Sequence, residues 1–331
     1  MASGAMTEPS TEAGFSWTEF IDDLVGARGS LAAVAMHLAR ARSFSEDVAS
    51  VERGLRRLRT RGARDGGVWG QRALRCFGLP STVNDRIRWM GQYHTRFSDL
   101  PASLCEELIR PWDRPPISES PTRVWIDLAR VGLALRRRDD PVPPLSRAEA
   151  LDARAELAAQ IELALVGAYV WARRDRARAQ AALTRARDLL EHADTDRLGA
   201  NDYACLFARW IDQVAYPLNK PPPGSDPDHA AAVALYERIP EHGPPFAQCR
   251  RENGLGWSWL LLGQLERAQA HARASMEAAG DSGSLRMRAM ALNLFAATEP
   301  DESAARARER ARAIARRLED EALLLRFRAR D

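Results

Sequence analysis

The stretch NGLGWSWLLLGQLERAQAHARASMEAAG, from Asn253 to Gly280, constrains the fold of this chain more than any other. Its first half sets the large residues Leu255 and Trp259 around a small one, Gly256, and its second half carries small residues at helical spacing. Gly263 separates the halves, and a final glycine ends the stretch. Glycine accepts the positive φ found in turns and at helix ends. The stretch therefore predicts two antiparallel helices joined by a turn.

This pattern closely resembles one tetratricopeptide (TPR) repeat, in which small residues, here Ala268, Ala272 and Ser275, let the two helices approach closely. The resemblance implies stacked neighbours, because a single repeat cannot bury its own apolar face. An αα-hairpin in some other helical fold is the alternative interpretation.

Weaker hairpins precede this one. Leu151–Trp171 with Arg176–Ala193 forms one, with Gly167 at a small position, and Asp202–Tyr216 with Asp228–Ile239 forms another. The loop NKPPPGSDP inside the latter is longer than a TPR turn, so the region is better described as TPR-like.

Two further helical segments, Leu285–Ala297 and Asp301–Phe327, are expected to close the chain, the last as a terminal capping helix. No stretch alternates long enough to predict a strand. The expected fold is all-α: an N-terminal helix-turn-helix-like bundle followed by a TPR-like α-solenoid of degenerate helical hairpins.

The chain has 331 residues, enough for about two domains. Prolines recur in the passage RPWDRPPISESP, and proline disfavours a helix interior, so a continuous helix is not expected there. We expect a disordered tail over 1–14, an N-terminal helical domain over 15–109, a proline-rich linker over 110–122 and a TPR-like domain over 123–331.

The N-terminal domain opens with two short amphipathic helices, and a third is predicted to begin at a capping box formed by Ser43 and Glu46. Three short helices of which the last is basic are typical of a helix-turn-helix. The following segment, Gly66–Gly78, is short and irregular and could form a wing-like hairpin.

On a helical wheel Ser50, Arg53, Arg57 and Arg61 lie opposite the apolar face of this third helix, with Arg56 beside them. Between residues 40 and 88, twelve arginines face five carboxylates, an excess of +7, while the whole chain carries only +3. Arginine contacts phosphates and guanine edges, so this stripe is a candidate nucleic-acid-binding surface. A merely solvated arginine face in an arginine-rich protein is the alternative.

No chemistry of catalysis or metal binding is apparent. The sequence lacks phosphate-binding loops, nucleophile elbows and zinc-binding motifs. The four cysteines form no CxxC pair, and the six histidines are dispersed, with His37 expected to be structural. We therefore expect a non-enzymatic cytoplasmic protein with no cofactor and no metal. The sequence contains no run of about 18 apolar residues, which is the length needed to span a membrane.

The layout resembles that of peptide-responsive bacterial regulators, which join a helix-turn-helix to TPR repeats. That resemblance implies a regulator with DNA on the first domain, in preference to RNA, and a peptide or protein in the TPR-like groove. Arg209, Asn253 and Ser258 are the candidate partner-binding residues, because polar residues on first helices line the groove of TPR arrays. The alternative is a TPR-like scaffold within a larger complex, without nucleic acid.

Overall fold

A computed structural model describes residues 14–41 and 47–328. All regular structure in these ranges is helical, without strands, which confirms the predicted all-α class. The first seven α-helices are α1 (Trp17–Arg28), α2 (Leu31–Arg40), α3 (Val48–Arg59), α4 (Gly67–Phe77), α5 (Ser81–Gly91), α6 (Ala102–Ile109) and α7 (Arg123–Arg137).

The remaining helices are α8 (Val142–Glu149), α9 (Leu157–Trp171), α10 (Arg176–Glu191), α11 (Thr195–Leu198), α12 (Ala200–Asn219), α13 (His229–Tyr236), α14 (Pro245–Leu261), α15 (Leu265–Ser282), α16 (Leu285–Thr298), α17 (Asp301–Arg317) and α18 (Glu321–Arg328). Short 3-10 turns occur at Arg96–Asp99, Ile117–Glu119 and Asp152–Arg154. No helix in the described part of the chain combines the length and apolar character needed to cross a membrane.

The chain forms two compact units. The first comprises residues 1–88 and 107–126, and the second comprises 89–106 and 127–331. The predicted tail over 1–14 falls, except for Gly14, outside the described residues. The predicted limits of the other three segments, at 15–109, 110–122 and 123–331, stay predictions.

The first unit is organised around Trp17, which is almost fully buried. Its Nε1 donates a hydrogen bond to the carbonyl of Arg64 at 2.9 Å. A Cβ added to Gly66 or Gly70 would lie 2.2 or 2.6 Å from the indole ring, so this part of the chain approaches Trp17 as only glycine allows. The wing suggested over Gly66–Gly78 is wrong, because α4 occupies this segment and packs its small residues inward.

In the second unit, the predicted hairpin over Asn253–Gly280 is confirmed as α14 and α15, joined through Gly263 at φ +74°. The second helix does not end at Gly280; it runs two residues further and stops at Gly283, whose φ of +62° is left-handed. The three small residues predicted for the second helix are fully buried in α15; they are Ala268, Ala272 and Ser275.

Glycines of α14 make room for its neighbours on both sides. A Cβ on Gly254 would lie 2.1 Å from the ring of Tyr236 in α13, and one on Gly256 would lie 2.5 Å from Leu294 in α16. Gly167 on α9 has nothing within 4 Å of such a Cβ, so the close approach predicted for the earlier hairpin does not occur there.

The helices pair as α9 with α10, α12 with α13, α14 with α15 and α16 with α17, and α15 also packs on α16. The single terminal helix predicted over Asp301–Phe327 is wrong. The chain breaks at Glu319, which has a φ of +53°, and α18 restarts with the backbone N–H of Leu323 donating to the carboxylate of Asp320. A buried carboxylate thus caps a new helix where a wheel alone shows a continuous one.

Candidate functional site

Each of the first three helices starts at a side-chain cap. Ser16, Ser30 and Asp47 accept backbone N–H groups of α1, α2 and α3, respectively. For α3 the Oδ1 atom of Asp47 accepts the N–H of Ser50 at 2.8 Å. The predicted capping box of Ser43 and Glu46 lies outside the described residues.

The α3 helix is held by its apolar face. Val51, Leu55 and Leu58 are at most 1% exposed, and α3 packs on both α1 and α2. Gly54 lies on the same side, where an added Cβ would be 2.2 Å from the indole of Trp69 in α4. This face is fully used in packing, so the opposite face is the one presented to solvent.

The opposite face carries exposed arginines, and these differ in whether a neighbouring group binds their guanidinium. Arg53 and Arg57 are exposed one turn apart and form no ion pair within the described part of the chain. Arg56 pairs with Glu52 at 2.5 Å, and Arg61, beyond the end of the helix, donates to the carbonyl of Asp65 at 2.6 Å. The two unpaired guanidinium groups are therefore the most available for an anionic ligand.

Ser50 is half-buried at the start of the helix, so it contributes less surface than the wheel suggested. Arg59 is exposed and pairs with Asp22 of α1 at 2.5 Å. The whole first unit, residues 1–88 and 107–126, holds sixteen arginines against thirteen carboxylates. Its excess positive charge favours an anionic partner.

The three predicted partner-binding residues lie inside the second unit and are buried. Ser258 is fully buried, donates to the carbonyl of Gly254 and accepts from Asn219 at 2.7 Å. Asn253 is 9% exposed and donates to a backbone carbonyl of α16. Their polar groups satisfy neighbouring helices, because a buried polar atom without a partner is costly.

Arg209 is 5% exposed and forms a buried ion pair with Glu162 of α9 at 2.5 Å. It belongs to a tyrosine–arginine cluster, defined as Tyr93, Arg209, Arg250 and Arg286. The three arginines come from α12, α14 and α16, the first helices of consecutive hairpins. One side chain from each of three hairpins thus converges on a single aromatic ring.

The geometry of the cluster is specific. Arg209 lies over the ring of Tyr93, with its guanidinium carbon 4.6 Å from the ring centroid. Arg250 and Arg286 donate to the Tyr93 hydroxyl at 3.2 and 3.1 Å. Arg250 also pairs with Asp212, and Arg286 with the buried Asp320. Each arginine therefore has its own carboxylate, as buried charges require.

These charges change the acidity of the phenol. Burial alone would raise the pKa of Tyr93, but the positive charges of Arg286, Arg250 and Arg209 outweigh it, with a hydrogen bond from Arg286. The result is a pKa of about 8 in place of 10. The cluster therefore stabilises a phenolate in the interior of the second unit.

Sequence reasoning missed this cluster because its members are far apart in the chain and each arginine resembles the many solvated ones. The one signal available was Tyr93 itself, an aromatic residue just past a helix in a polar segment. Thiol chemistry is disfavoured nearby, since burial raises the pKa of Cys205 to about 12 and that of Cys249 to about 11. No metal-ligating group of three or more side chains occurs among the described residues.

A scan against models of known protein families found no match to this chain, and comparisons with curated proteins and with solved structures found none either. The candidate sites consequently stand on their geometry alone.

Proposed function

We propose that this protein is a non-enzymatic regulator that binds duplex DNA through the helix-turn-helix-like group α1–α3. The second unit would serve as a TPR-like domain that binds a peptide or protein. The observation that carries the proposal is the pair Arg53 and Arg57, which are exposed, form no ion pair with any described residue and lie on a helix whose other face is buried.

The dimensions of α3 suit this role. A helix about 10–12 Å across fits a major groove about 12 Å wide. Residues four apart rise about 6 Å along a helix, which is close to two base-pair steps of about 3.4 Å. Arg53 and Arg57 could therefore contact successive base edges or phosphates along one groove.

The partner of the second unit would have to bind away from Arg209, Asn253 and Ser258, which are committed to internal contacts. An apolar patch is available at the turn between α14 and α15. Leu261, Leu262 and Leu265 are 48%, 39% and 49% exposed there. Exposed leucines in a group favour a protein contact.

The same patch supports the second candidate function, a TPR-like scaffold without nucleic acid. Helical hairpins offer extended surfaces to peptides and helices, and such a role needs no basic helix. The two candidates differ in whether α3 has a ligand at all, so one DNA-binding experiment separates them.

The experiment measures fluorescence anisotropy of a labelled pool of random duplexes as a function of salt. Wild-type protein is expected to bind with an affinity that falls as salt rises. The R53A/R57A/R61A variant should lose about 100-fold or more, from about 1–3 kcal/mol per arginine contact.

A matched variant, R306A/R310A/R317A, removes three exposed arginines of α17 in the second unit and should bind as the wild type does. If the wild type shows no salt-dependent binding to any duplex, the DNA-binding function is wrong. Equal loss in both triple variants would indicate nonspecific charge attraction and would also contradict it.

A further inference from the structure

A cavity of about 340 Å³ opens in the first unit beside the C-terminal end of α1 and along α2. We call it the cationic pocket, and its lining residues are Ala27, Arg28, Ala33, Met36, His37 and Arg40. Three of the six are basic types and none is a carboxylate. An uncompensated group of this kind is suited to an anion.

Local structure explains how the pocket is assembled. Residues 33, 36, 37 and 40 follow the spacing that places side chains on one face of α2. Arg28 is the last residue of α1, and Gly29 turns the chain sharply with a φ of +84° before Ser30 caps α2. The turn thereby places Arg28 beside His37 and Arg40.

The donors of the pocket are oriented. Arg28 donates from Nη1 to Nδ1 of His37 at 3.3 Å. Arginine cannot accept a hydrogen bond, so Nδ1 of the neutral imidazole is the acceptor and Nε2 carries the proton. Phe77 supports both groups, with its ring 5.1 Å from the Arg28 guanidinium and 5.4 Å from the His37 ring. His37 is exposed.

Arg40 completes the pocket. It is exposed and has no ion pair within the described part of the chain. One guanidinium group comes from α1, and the other comes from α2 together with the imidazole N–H, so each of the three can donate to a different oxygen. Guanidinium groups bind phosphate with strong, charge-assisted hydrogen bonds.

We propose that the cationic pocket binds a phosphoryl group through Arg28, Arg40 and the Nε2–H of His37. This inference rests on the proposed function, because the phosphate would belong to the backbone of the DNA that α3 binds. The pocket then positions the duplex and carries no sequence information, whereas Arg53 and Arg57 contact the bases. A free phosphate is the other source of the same chemistry.

The first test is the salt dependence of duplex binding. Each phosphate contact contributes about −0.9 to the slope of log K against log salt concentration. R28Q/R40Q should therefore have a slope smaller in magnitude by about 2, while its preference among duplex sequences stays that of the wild type.

The control is R75Q, which removes an exposed arginine of α4 outside the pocket and should leave the slope unchanged. R40Q alone is a second test variant, because Phe77 stacks on Arg28 and His37 and the loss of Arg40 leaves that stacking intact; its slope should fall by about 1. An unchanged slope in R28Q/R40Q, or the same change in R75Q, overturns the pocket and leaves the DNA-binding function standing.

The second test uses inorganic phosphate. Its thermal stabilisation of the wild type is compared with that by chloride at equal ionic strength, and should disappear in R28Q/R40Q. If no duplex binds but this stabilisation depends on Arg28 and Arg40, the DNA-binding function fails and the pocket is a site for free phosphate. Stabilisation that persists in R28Q/R40Q, with an unchanged slope, refutes the pocket.

Discussion

Replacing Tyr93 with phenylalanine should remove a contribution to the free energy of unfolding that grows as the pH rises into the alkaline range. The pKa of Tyr93 is lowered from 10 to about 8 in the folded chain. A group whose pKa is depressed by folding contributes stability that is fully present above the unfolded pKa and is lost as pH falls through the folded one. The contribution should thus grow between about pH 8 and pH 10.

The magnitude follows from this linkage. A tenfold change in proton affinity is worth about 1.4 kcal/mol, so the contribution reaches roughly 3 kcal/mol above pH 10. About half of it is present at pH 9 and almost none at pH 7. The loss of the acceptor for Arg250 and Arg286 adds a cost of about 1–3 kcal/mol that does not vary with pH.

The assay is urea unfolding of the wild type and Y93F at several pH values from 7 to 9.5. The difference in their free energies of unfolding should widen by about 2 kcal/mol across this range. Y216F removes the hydroxyl of a tyrosine that is 46% exposed and should show no such widening. A constant difference between wild type and Y93F would refute the electrostatic account of the cluster, as would phenolate absorbance that titrates near pH 10 in the difference spectrum.

Two further predictions concern packing and buried charge. Gly54→Ala should destabilise the first unit by about 1–3 kcal/mol, because its Cβ would meet the ring of Trp69, whereas Gly132→Ala in α7, with nothing within 4 Å, should be neutral or stabilising in thermal unfolding. Arg209→Met should cost about 3–5 kcal/mol in chemical unfolding because it leaves the carboxylate of Glu162 buried and unpaired. Adding Glu162→Leu should recover much of that loss, and a strictly additive double variant would contradict the pairing.

The tyrosine–arginine cluster also changes how the second unit is understood. In a TPR-like array the first helices are expected to present polar residues to a partner. Here Arg209, Arg250 and Arg286 use that position for Tyr93 and for carboxylates of the same unit. These side chains hold the hairpins to a segment of their own chain, so the proposed partner would have to contact another surface, such as the exposed leucines at the α14–α15 turn.

Properties that depend on neighbours in sequence were predictable. The all-α class, the hairpin of α14 and α15 and the apolar face of α3 follow from periodicity, small-residue spacing and glycine, which act within a turn or two of helix. The arginines at 53 and 57 were found for the same reason, since a helical wheel separates them from Val51 and Leu55. Whether those arginines have a ligand stays a prediction.

Properties that depend on distant partners were decided by the tertiary structure. Arg209 and Arg53 look alike in sequence, yet one is buried against Glu162, 47 positions away, and the other is exposed. Ser258 looked like a groove residue, but packing placed it beside Asn219. A polar side chain is buried only where another element supplies its hydrogen-bond partner. The residue pattern of a single helix does not identify that partner. The sequence by itself thus determined which helices form, and the tertiary structure decided which of their charges are left for a ligand.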